Sequence, residues 1–147
     1  MKLLCLFDGE AKRFEAARGT TEVASGALLN HAALEEVVLP EGVRVIGAAA
    51  CKGCRALRRV VIPEGVAEMG AEALMDTALE SIHIPASLEK IEENALVTYN
   101  AHNGKRQPTL REITVAQGNA RYEEKGGMLL EKWSNGHARV VVNTDSR

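Results

Sequence analysis

The sequence has few aromatic residues, little net charge and no long apolar run. Aromatic side chains make up 3% of its 147 residues, so any core must be built from Leu, Val, Ile and Ala. The formal net charge is −2, whereas a nucleic-acid-binding domain normally carries a basic patch. The composition therefore predicts a folded domain of ordinary size with no nucleic-acid partner.

Neither a membrane span nor a leader peptide is visible in the sequence. Its apolar runs, such as Leu3–Phe7 and Val37–Leu39, are far shorter than the ~18 residues that a membrane-spanning helix requires. The first residues carry one positive charge and no small-residue cleavage site, unlike a signal peptide. We therefore expect no membrane insertion. The localisation stays unknown: cytoplasmic at face value, or the cell surface if the chain is part of a longer exported protein.

What the sequence does contain is an internal repeat. The segment Leu34–Val43, LEEVVLPEGV, returns at Leu57–Val66 as LRRVVIPEGV and at Leu79–Leu88 as LESIHIPASL, after 23 and 22 residues. A degenerate copy starts at Ala11, and a fifth copy starts at Leu110 after an unusually long unit. We predict a single repeat domain over 1–147. It divides into an N-terminal cap (1–10), repeats 11–33, 34–56, 57–78 and 79–109 with an insertion at 99–109, and a final repeat with a C-terminal hairpin cap (110–147).

Each unit has the residue pattern of one turn of a coil. Val37 and Leu39 alternate with outward-facing residues, which predicts a short strand over 35–39. The proline that follows in three units has no N–H and ends the strand. Glycines just after the strand, Gly42, Gly65 and Gly118, permit a corner. Stacking places Ala50 and Ala73 in one column, where we expect no room for larger side chains. The predicted fold is a mostly β solenoid of about five rungs, with a parallel sheet on one face, short helical or irregular turns elsewhere, and capped ends.

The repeated residues resemble the BspA-like, or Treponema pallidum-type, leucine-rich repeat family. Its unit reads approximately L-x-x-I-x-I-P-x-x-V-x-x-I-G-x-x-A-F-x-x-C. The matching residues include Ile46-Gly47, Ala50, Cys54, Met69-Gly70 and Ala73-Leu74. The resemblance implies a leucine-rich-repeat solenoid of the α/β horseshoe-like type, from a bacterial family that includes many surface proteins implicated in adhesion. Leu or Cys replaces the usual phenylalanine of the unit, which implies a slimmer core.

Two columns of residues, nearly all charged, alternate in sign along the outward face of the predicted strands. The first contains Lys12, Glu35, Arg58, Glu80 and Arg111, and the second contains Arg13, Glu36, Arg59, Ser81 and Glu112. Opposite charges on neighbouring strands stabilise pairing by roughly 0.2–1 kcal/mol per pair. We interpret the columns as a self-neutralising surface that maintains register and solubility. A charged recognition face is the alternative, although alternation cancels the field that would attract a polyanion.

Cys51 and Cys54 form a CxxC pair, which could be a redox pair or half of a zinc site. A zinc site needs two further ligands, and His31, one rung below Cys54 in the same column, is the one candidate. Both cysteines also fit repeat columns, where a free thiol packs as a small apolar side chain. We therefore expect two reduced, buried cysteines without metal, and no cofactor.

The insertion at 99–109 escapes the repeat, so stacking does not dictate its composition. Insertions in repeat arrays map to loops on one face, which is often the binding face. We predict a partner contact surface made of this loop and the neighbouring strand face. Its residues are His83, Tyr99, His102, Lys105, Arg106 and Thr114. An ordinary solvated loop is the alternative, since Asn103-Gly104 and Pro108 are turn residues and Tyr99 could fill the column of Cys54.

No Ser/His/Asp set, phosphate-binding glycine loop or paired-carboxylate site is recognisable in the sequence. A solenoid presents a broad, rigid surface rather than a deep apolar pocket. The predicted function is a non-enzymatic protein-binding or scaffolding module with an unknown protein partner, with adhesion as one form of it. The alternative is a purely structural segment of a larger repeat protein with no partner of its own. An enzyme would require a deep pocket lined by polar residues that lie outside the repeat columns.

Overall fold

The chain forms a coil of short β-strands joined by turns. The computed structural model describes residues 2–3, 10–102 and 105–144, and these contain no helix. Within this described part, no helix is therefore long and apolar enough to cross a membrane. The strands are β1 (Lys2–Leu3), β2 (Arg13–Glu15), β3 (Glu22–Val23), β4 (Glu36–Val38), β5 (Val45–Ile46), β6 (Arg59–Val61), β7 (Glu68–Met69), β8 (Ser81–Ile84), β9 (Lys90–Ile91), β10 (Tyr99–His102), β11 (Lys105–Pro108), β12 (Glu112–Val115), β13 (Tyr122–Lys125), β14 (Met128–Lys132) and β15 (Ala138–Asn143).

The strands of the repeated LxxVxL segment stack in parallel, as the sequence predicts. β2, β4 and β6 form one sheet in which Phe14, Val37 and Val60 lie in register. β8 and β12 form a second parallel pair, with Ile82 opposite Ile113. The outer surface of these two sheets is called the strand face below. The solenoid fold is thereby confirmed, with like residues of successive units stacked on one another.

A second parallel sheet, β1-β3-β5-β7-β9, runs along another side of the coil. It stacks Val23, Ile46, Met69 and Ile91, each at most 3% exposed. No strand is predicted for this column from the sequence, because strands of two residues are too short to show alternation. The coil therefore has parallel sheets on two sides, where one was expected. The predicted N-terminal cap, residues 1–10, lies mostly outside the described residues.

Tight turns connect the two sheets, and they repeat from unit to unit. Residues 26, 49, 72 and 94 occupy one turn position and all have positive φ; they are Gly26, Ala49, Glu72 and Asn94, with φ between 54° and 69°. A second position is left-handed at Asn30, Gly53 and Asp76. Backbone bonds from residue i+3 to residue i close these turns, for example Ala50 N–H to Gly47 O at 3.3 Å. The connections expected to be short helices or irregular turns are thus turns throughout the described part of the chain.

The rungs approach most closely at Gly47 and Gly70, which occupy one column. A Cβ built at Gly47 would lie 2.5 Å from the backbone nitrogen of Ser25, and one at Gly70 would overlap backbone atoms of Gly47 and Ala48. The neighbouring alanine column is fully buried, with Ala50 and Ala73 both 0% exposed. Gly47 and Gly70 therefore have no space for a side chain, and the alanines beside them have space for little more than a methyl group.

A three-stranded antiparallel sheet, β13-β14-β15, closes the C-terminal end of the coil. Tyr122, 1% exposed, reaches from β13 to the last strand of the second sheet, where its hydroxyl oxygen accepts the Ile91 N–H at 2.7 Å. The Asn119 side-chain amide donates to the carbonyls of Pro85 and Leu88 at 2.9 and 3.2 Å. These bonds satisfy backbone groups that the next rung of a longer coil would otherwise bind.

Candidate interaction surface

The insertion forms a β-hairpin and not an irregular loop. β10 and β11 pair antiparallel, with Tyr99 opposite Pro108 and His102 opposite Lys105. Positions 103 and 104 lie outside the described residues, as do the side chains of Tyr99, His102, Lys105 and Arg106. The four predicted contact residues of the insertion therefore lie on two paired strands of known register.

Two threonines attach the hairpin to the coil. The Thr98 hydroxyl, on a residue 3% exposed, accepts the Leu110 N–H at 3.2 Å. The Thr109 hydroxyl donates to Leu79 O at 2.8 Å, and the Thr109 N–H donates to Thr98 O at 3.4 Å. The hairpin base is thus bonded to Leu79, at the start of its own unit 79–109, and β12 begins three residues after Thr109.

The other two predicted contact residues lie together on the strand face. His83 on β8 and Thr114 on β12 are paired in register, and the distance between His83 Nδ1 and Thr114 Oγ1 is 2.8 Å. Both side chains are exposed. Thr109, at the base of the hairpin, lies five residues before Thr114, which corresponds to at most ~16 Å of extended chain. The structure thus brings His83 and Thr114 into contact and places the hairpin base at one end of their strand pair.

Two apolar residues in the column of His83, Val38 and Val61, are not among the predicted contact residues. Val38 and Val61 pair in register on the strand face, and both are only half-buried. Outward-facing valines on an exposed sheet surface could have been found from the repeat, because they occupy the same position in their units as His83. Val38 and Val61 therefore add apolar side chains to the surface that carries the polar His83–Thr114 pair.

Ion pairs connect successive rungs in the second charged column. Glu36 lies between two cations, with Arg13 Nε at 3.5 Å and Arg59 Nη1 at 3.6 Å from its carboxylate oxygens. The predicted pairing of opposite charges is confirmed at these three residues. Both arginine side chains are more than half exposed, so these ion pairs contribute little to stability, about 0–1 kcal/mol each.

Cys51 and Cys54 are free thiols in the core. Burial, together with the nearby Cys54, raises the pKa of Cys51 far above its usual range, and burial raises the pKa of Cys54 to about 11. The Cys54 Sγ–H donates to Leu28 O at 2.9 Å. In the described residues, no three His, Cys, Asp or Glu side chains are grouped so as to hold a metal ion. Protonated, buried thiols are poor nucleophiles and poor metal ligands.

Comparison with known proteins gives one family and several structural relatives. The family model described as "BspA type Leucine rich repeat region" matches residues 12–116 in six copies. Among curated proteins, none matches the chain in sequence. A leucine-rich cell surface protein from Faecalibacterium prausnitzii is 30% identical with a TM-score of 0.68, and the match covers 83% of this chain and 30% of that chain.

Two further solved structures are similar in fold. The pneumococcal vaccine antigen PcpA is 19% identical with a TM-score of 0.65, over 82% of this chain and 32% of that one. A leucine-rich repeat protein from Bacteroides ovatus is 21% identical with a TM-score of 0.55, over 70% of this chain and 25% of that one. The chain thus spans a third or less of each of these three relatives.

Proposed function

Since the chain belongs to the BspA-type leucine-rich repeat family, we propose that it is a non-enzymatic protein-binding module. Stacked rungs hold side chains from several units on one rigid surface, which suits a macromolecular partner better than a small molecule. The 30% identical relative is a cell surface protein, and this supports a role in attachment at the bacterial surface.

The proposed contact surface combines the β10–β11 hairpin with the adjoining strand face. Its residues are His83, Tyr99, His102, Lys105, Arg106 and Thr114, to which we add Val38 and Val61. The observation that carries the proposal is the hairpin's attachment: buried Thr98 and half-buried Thr109 bind it to the coil. An element held at its base, and outside the stacking pattern, is free to vary in sequence for recognition without loss of the fold.

The test compares partner capture by the unchanged purified domain and three variants. In the first variant a Gly-Ser link replaces residues 101–108, which leaves Thr98 and Thr109 in place. The second variant is His83→Ala with Thr114→Ala. The control is Glu68→Ala, an exposed residue on the second sheet. Each form carries a photo-crosslinking group on an added tag, and partners from bacterial surface and host-cell extracts are identified and then titrated as purified proteins.

We expect a partner whose affinity falls at least tenfold in the hairpin variant and severalfold in the strand-face variant, with the control unchanged. All four proteins should melt within a few degrees of one another, because His83, Thr114 and Glu68 are exposed and residues 101–108 lie outside the repeat. If every purified partner binds the hairpin and strand-face variants as tightly as the unchanged domain, the proposed surface is wrong. If no partner binds the domain at all, its role is to hold a larger repeat array together.

A further inference from the structure

β12 is the last strand of the strand face, and one of its edges, called the free edge below, has no partner strand in the described part of the chain. At the two ends of its pairing with β8, the Glu112 and Ala116 N–H groups donate to Glu80 O at 3.2 Å and to Ile84 O at 2.8 Å. In a parallel pair every second residue faces the partner strand, so the N–H and C=O groups of Ile113 and Val115 point the other way. No strand within 2–3, 10–102 or 105–144 pairs with β12 on that side.

A groove of about 430 Å³ runs along this free edge. It is lined by the consecutive residues 113–116 and by Asn119, Tyr122, Glu123, Glu124 and Lys132. Because side chains alternate along a strand, a groove lined by four consecutive residues meets the backbone edge and not one face of the sheet. The groove therefore presents unpaired backbone donors and acceptors over a length of ~10 Å.

The groove and its rim are acidic. Glu123 and Glu124 are exposed in its lining, and Glu112 is exposed at the start of β12. The one cation among the lining residues is Lys132, whose ammonium group donates to Asn119 O at 3.4 Å. The lining therefore has two carboxylates and one ammonium group, so the net charge beside a bound segment is negative.

The charged column on the strand face indicates which side chains would pair with Glu112. In the N-terminal sheet, Glu36 is stacked between Arg13 and Arg59, each within 3.6 Å of its carboxylate. Glu112 is in the same column at the other end of the coil and has no strand beyond it among the described residues. A strand added to the edge of β12 would continue the column if it placed an arginine or lysine beside Glu112.

We propose that the free edge of β12 is a docking site for an extended, basic segment of a partner protein, which adds to the sheet as a further strand. Backbone bonds form with Ile113 and Val115, and basic side chains lie beside Glu112 and Glu123. Alternate residues of the segment are apolar and point toward the core side of the sheet, beside Ile113 and Val115. This mode of recognition takes affinity from main-chain bonds and specificity from alternate side chains. It is independent of the hairpin surface proposed above.

The test titrates ¹⁵N-labelled protein with the blocked hexapeptide Lys-Val-Lys-Val-Lys-Val, against Glu-Val-Glu-Val-Glu-Val as the matched control. We expect the basic peptide to slow hydrogen exchange at the Ile113 and Val115 amides. Exchange at the Thr114 amide, which already faces β8, should change little. The acidic peptide should have no effect. Binding by the basic peptide should weaken as salt is raised, since charge pairing contributes to it.

Two variants test the edge and its charge. Val115→Pro removes a donor that faces the groove and leaves the bonds to β8 intact, so the peptide should no longer bind. Glu112→Gln with Glu123→Gln should weaken binding roughly two- to fivefold for each lost charge pair. Glu41→Gln, an exposed carboxylate at a distant corner, is the control and should bind normally.

Unchanged affinity in the glutamine pair, or protection that falls outside Ile113 and Val115, would overturn the proposal even if Val115→Pro failed to fold. Protection of the same two amides in peptide-free protein at high concentration, with a dimer in sedimentation, would also overturn it by identifying a second copy as the occupant. The hairpin-shortened variant should bind the peptide normally, so failure of the hairpin proposal leaves this one standing.

Discussion

At the scale of single residues, the turns of the coil require left-handed backbone at positions that glycine does not always occupy. Gly26 opens one such column, but Ala49, Glu72 and Asn94 follow it with φ between 54° and 59°. The left-handed conformation costs an L-residue about 1–2 kcal/mol, because Cβ lies close to the following carbonyl oxygen. The stacked rungs impose the conformation in spite of this cost.

Ala49→Gly should therefore stabilise the protein. Relief of the left-handed strain exceeds the extra chain entropy of glycine, and we expect a gain of about 0.5–1 kcal/mol in the free energy of unfolding by urea titration. Ala48→Gly is the matched control, because Ala48 is adjacent and exposed but does not have positive φ. That variant should lose about 0.5–1 kcal/mol. A loss of stability in Ala49→Gly would mean that its methyl group makes packing contacts that outweigh the strain.

The two buried cysteines should be unreactive in the folded protein. Burial raises the pKa of Cys54 to about 11 and that of Cys51 further, so neither forms thiolate at pH 8. The third cysteine of the sequence, Cys5, is first replaced by serine so that only Cys51 and Cys54 can react. A chromogenic disulfide reagent should then label both thiols only as fast as the protein unfolds in urea. Rapid labelling without urea would contradict this prediction, as would one equivalent of zinc that is lost in Cys54→Ser.

At the scale of elements, the C-terminal antiparallel sheet acts as a cap through a small polar cluster. Tyr122 accepts the Ile91 N–H, and its hydroxyl lies 3.5 Å from Glu131. Arg139 and the Trp133 indole donate to the Glu131 carboxylate at 3.0 and 3.1 Å. The cluster joins β13, β14 and β15 to β9, the last strand of the second sheet. It thereby covers the edge of β9, which could otherwise pair with another chain.

Tyr122→Phe should lower the free energy of unfolding by about 1–3 kcal/mol, because it leaves the Ile91 N–H buried without an acceptor. The ring and its packing are retained, so the loss reports on the hydroxyl. Hydrogen exchange should accelerate at the Ile91 amide in particular. Wild-type stability together with unchanged exchange at Ile91 would show that the cap does not depend on this bond.

The cap should also weaken at acid pH. Burial alone raises the pKa of Glu131, but hydrogen bonds from Arg139 and Trp133 and the charges of Arg139 and Arg121 lower it overall. A carboxyl whose pKa is lower in the folded state stabilises the fold above its unfolded pKa of about 4.3, and this contribution disappears as the pH falls through the folded value.

Glu131→Gln therefore tests the acid sensitivity of the cap. The variant should be about 1 kcal/mol less stable than wild type at pH 7, and the difference should shrink below about pH 4. Glu89→Gln, an exposed carboxyl for which no ion pair is seen in the described residues, provides the control for general charge effects. A difference that stays constant from pH 7 to pH 3 would assign the effect of Glu131→Gln to packing.

At the scale of the whole molecule, stability depends on how closely each rung lies on the next. Gly47 and Gly70 allow backbone to meet backbone, and the alanine column beside them allows only methyl groups between rungs. In the glycine and alanine columns like residues contact like because the contacting positions are 22 or 23 residues apart. A change at one rung is therefore transmitted to its two neighbours and little further.

Gly70→Ala should destabilise the solenoid by about 1–3 kcal/mol, because the new methyl group would overlap the backbone of Gly47 and Ala48. Ala73→Leu in the adjacent column should cost a similar amount by overpacking the core. Thermal denaturation followed by circular dichroism measures both. A wild-type melting temperature in Gly70→Ala would mean that the rungs can separate there without loss of contacts.

Much of the architecture could be predicted from the sequence, because the repeat itself encodes which residues are neighbours. Once Leu34 and Leu57 are aligned, the pairing of Val37 with Val60 and the charge pairs of Glu36 follow without further information. The position of the hairpin also follows, since an insertion is visible as a break in the period. The His83–Thr114 contact could be predicted for the same reason: both residues occupy one column.

Only the tertiary structure decided the features that lie outside the period. Strands of two residues give no alternation, so the second sheet appears only once the rungs are stacked. The bonds of Tyr122 to Ile91 and of Asn119 to Pro85 join a non-repeating segment to the coil, and no spacing in the sequence relates them. The free edge of β12 is of the same kind. Whether a strand has a neighbour depends on where the chain goes next in space, and here it turns away after Ala116 to cap the second sheet.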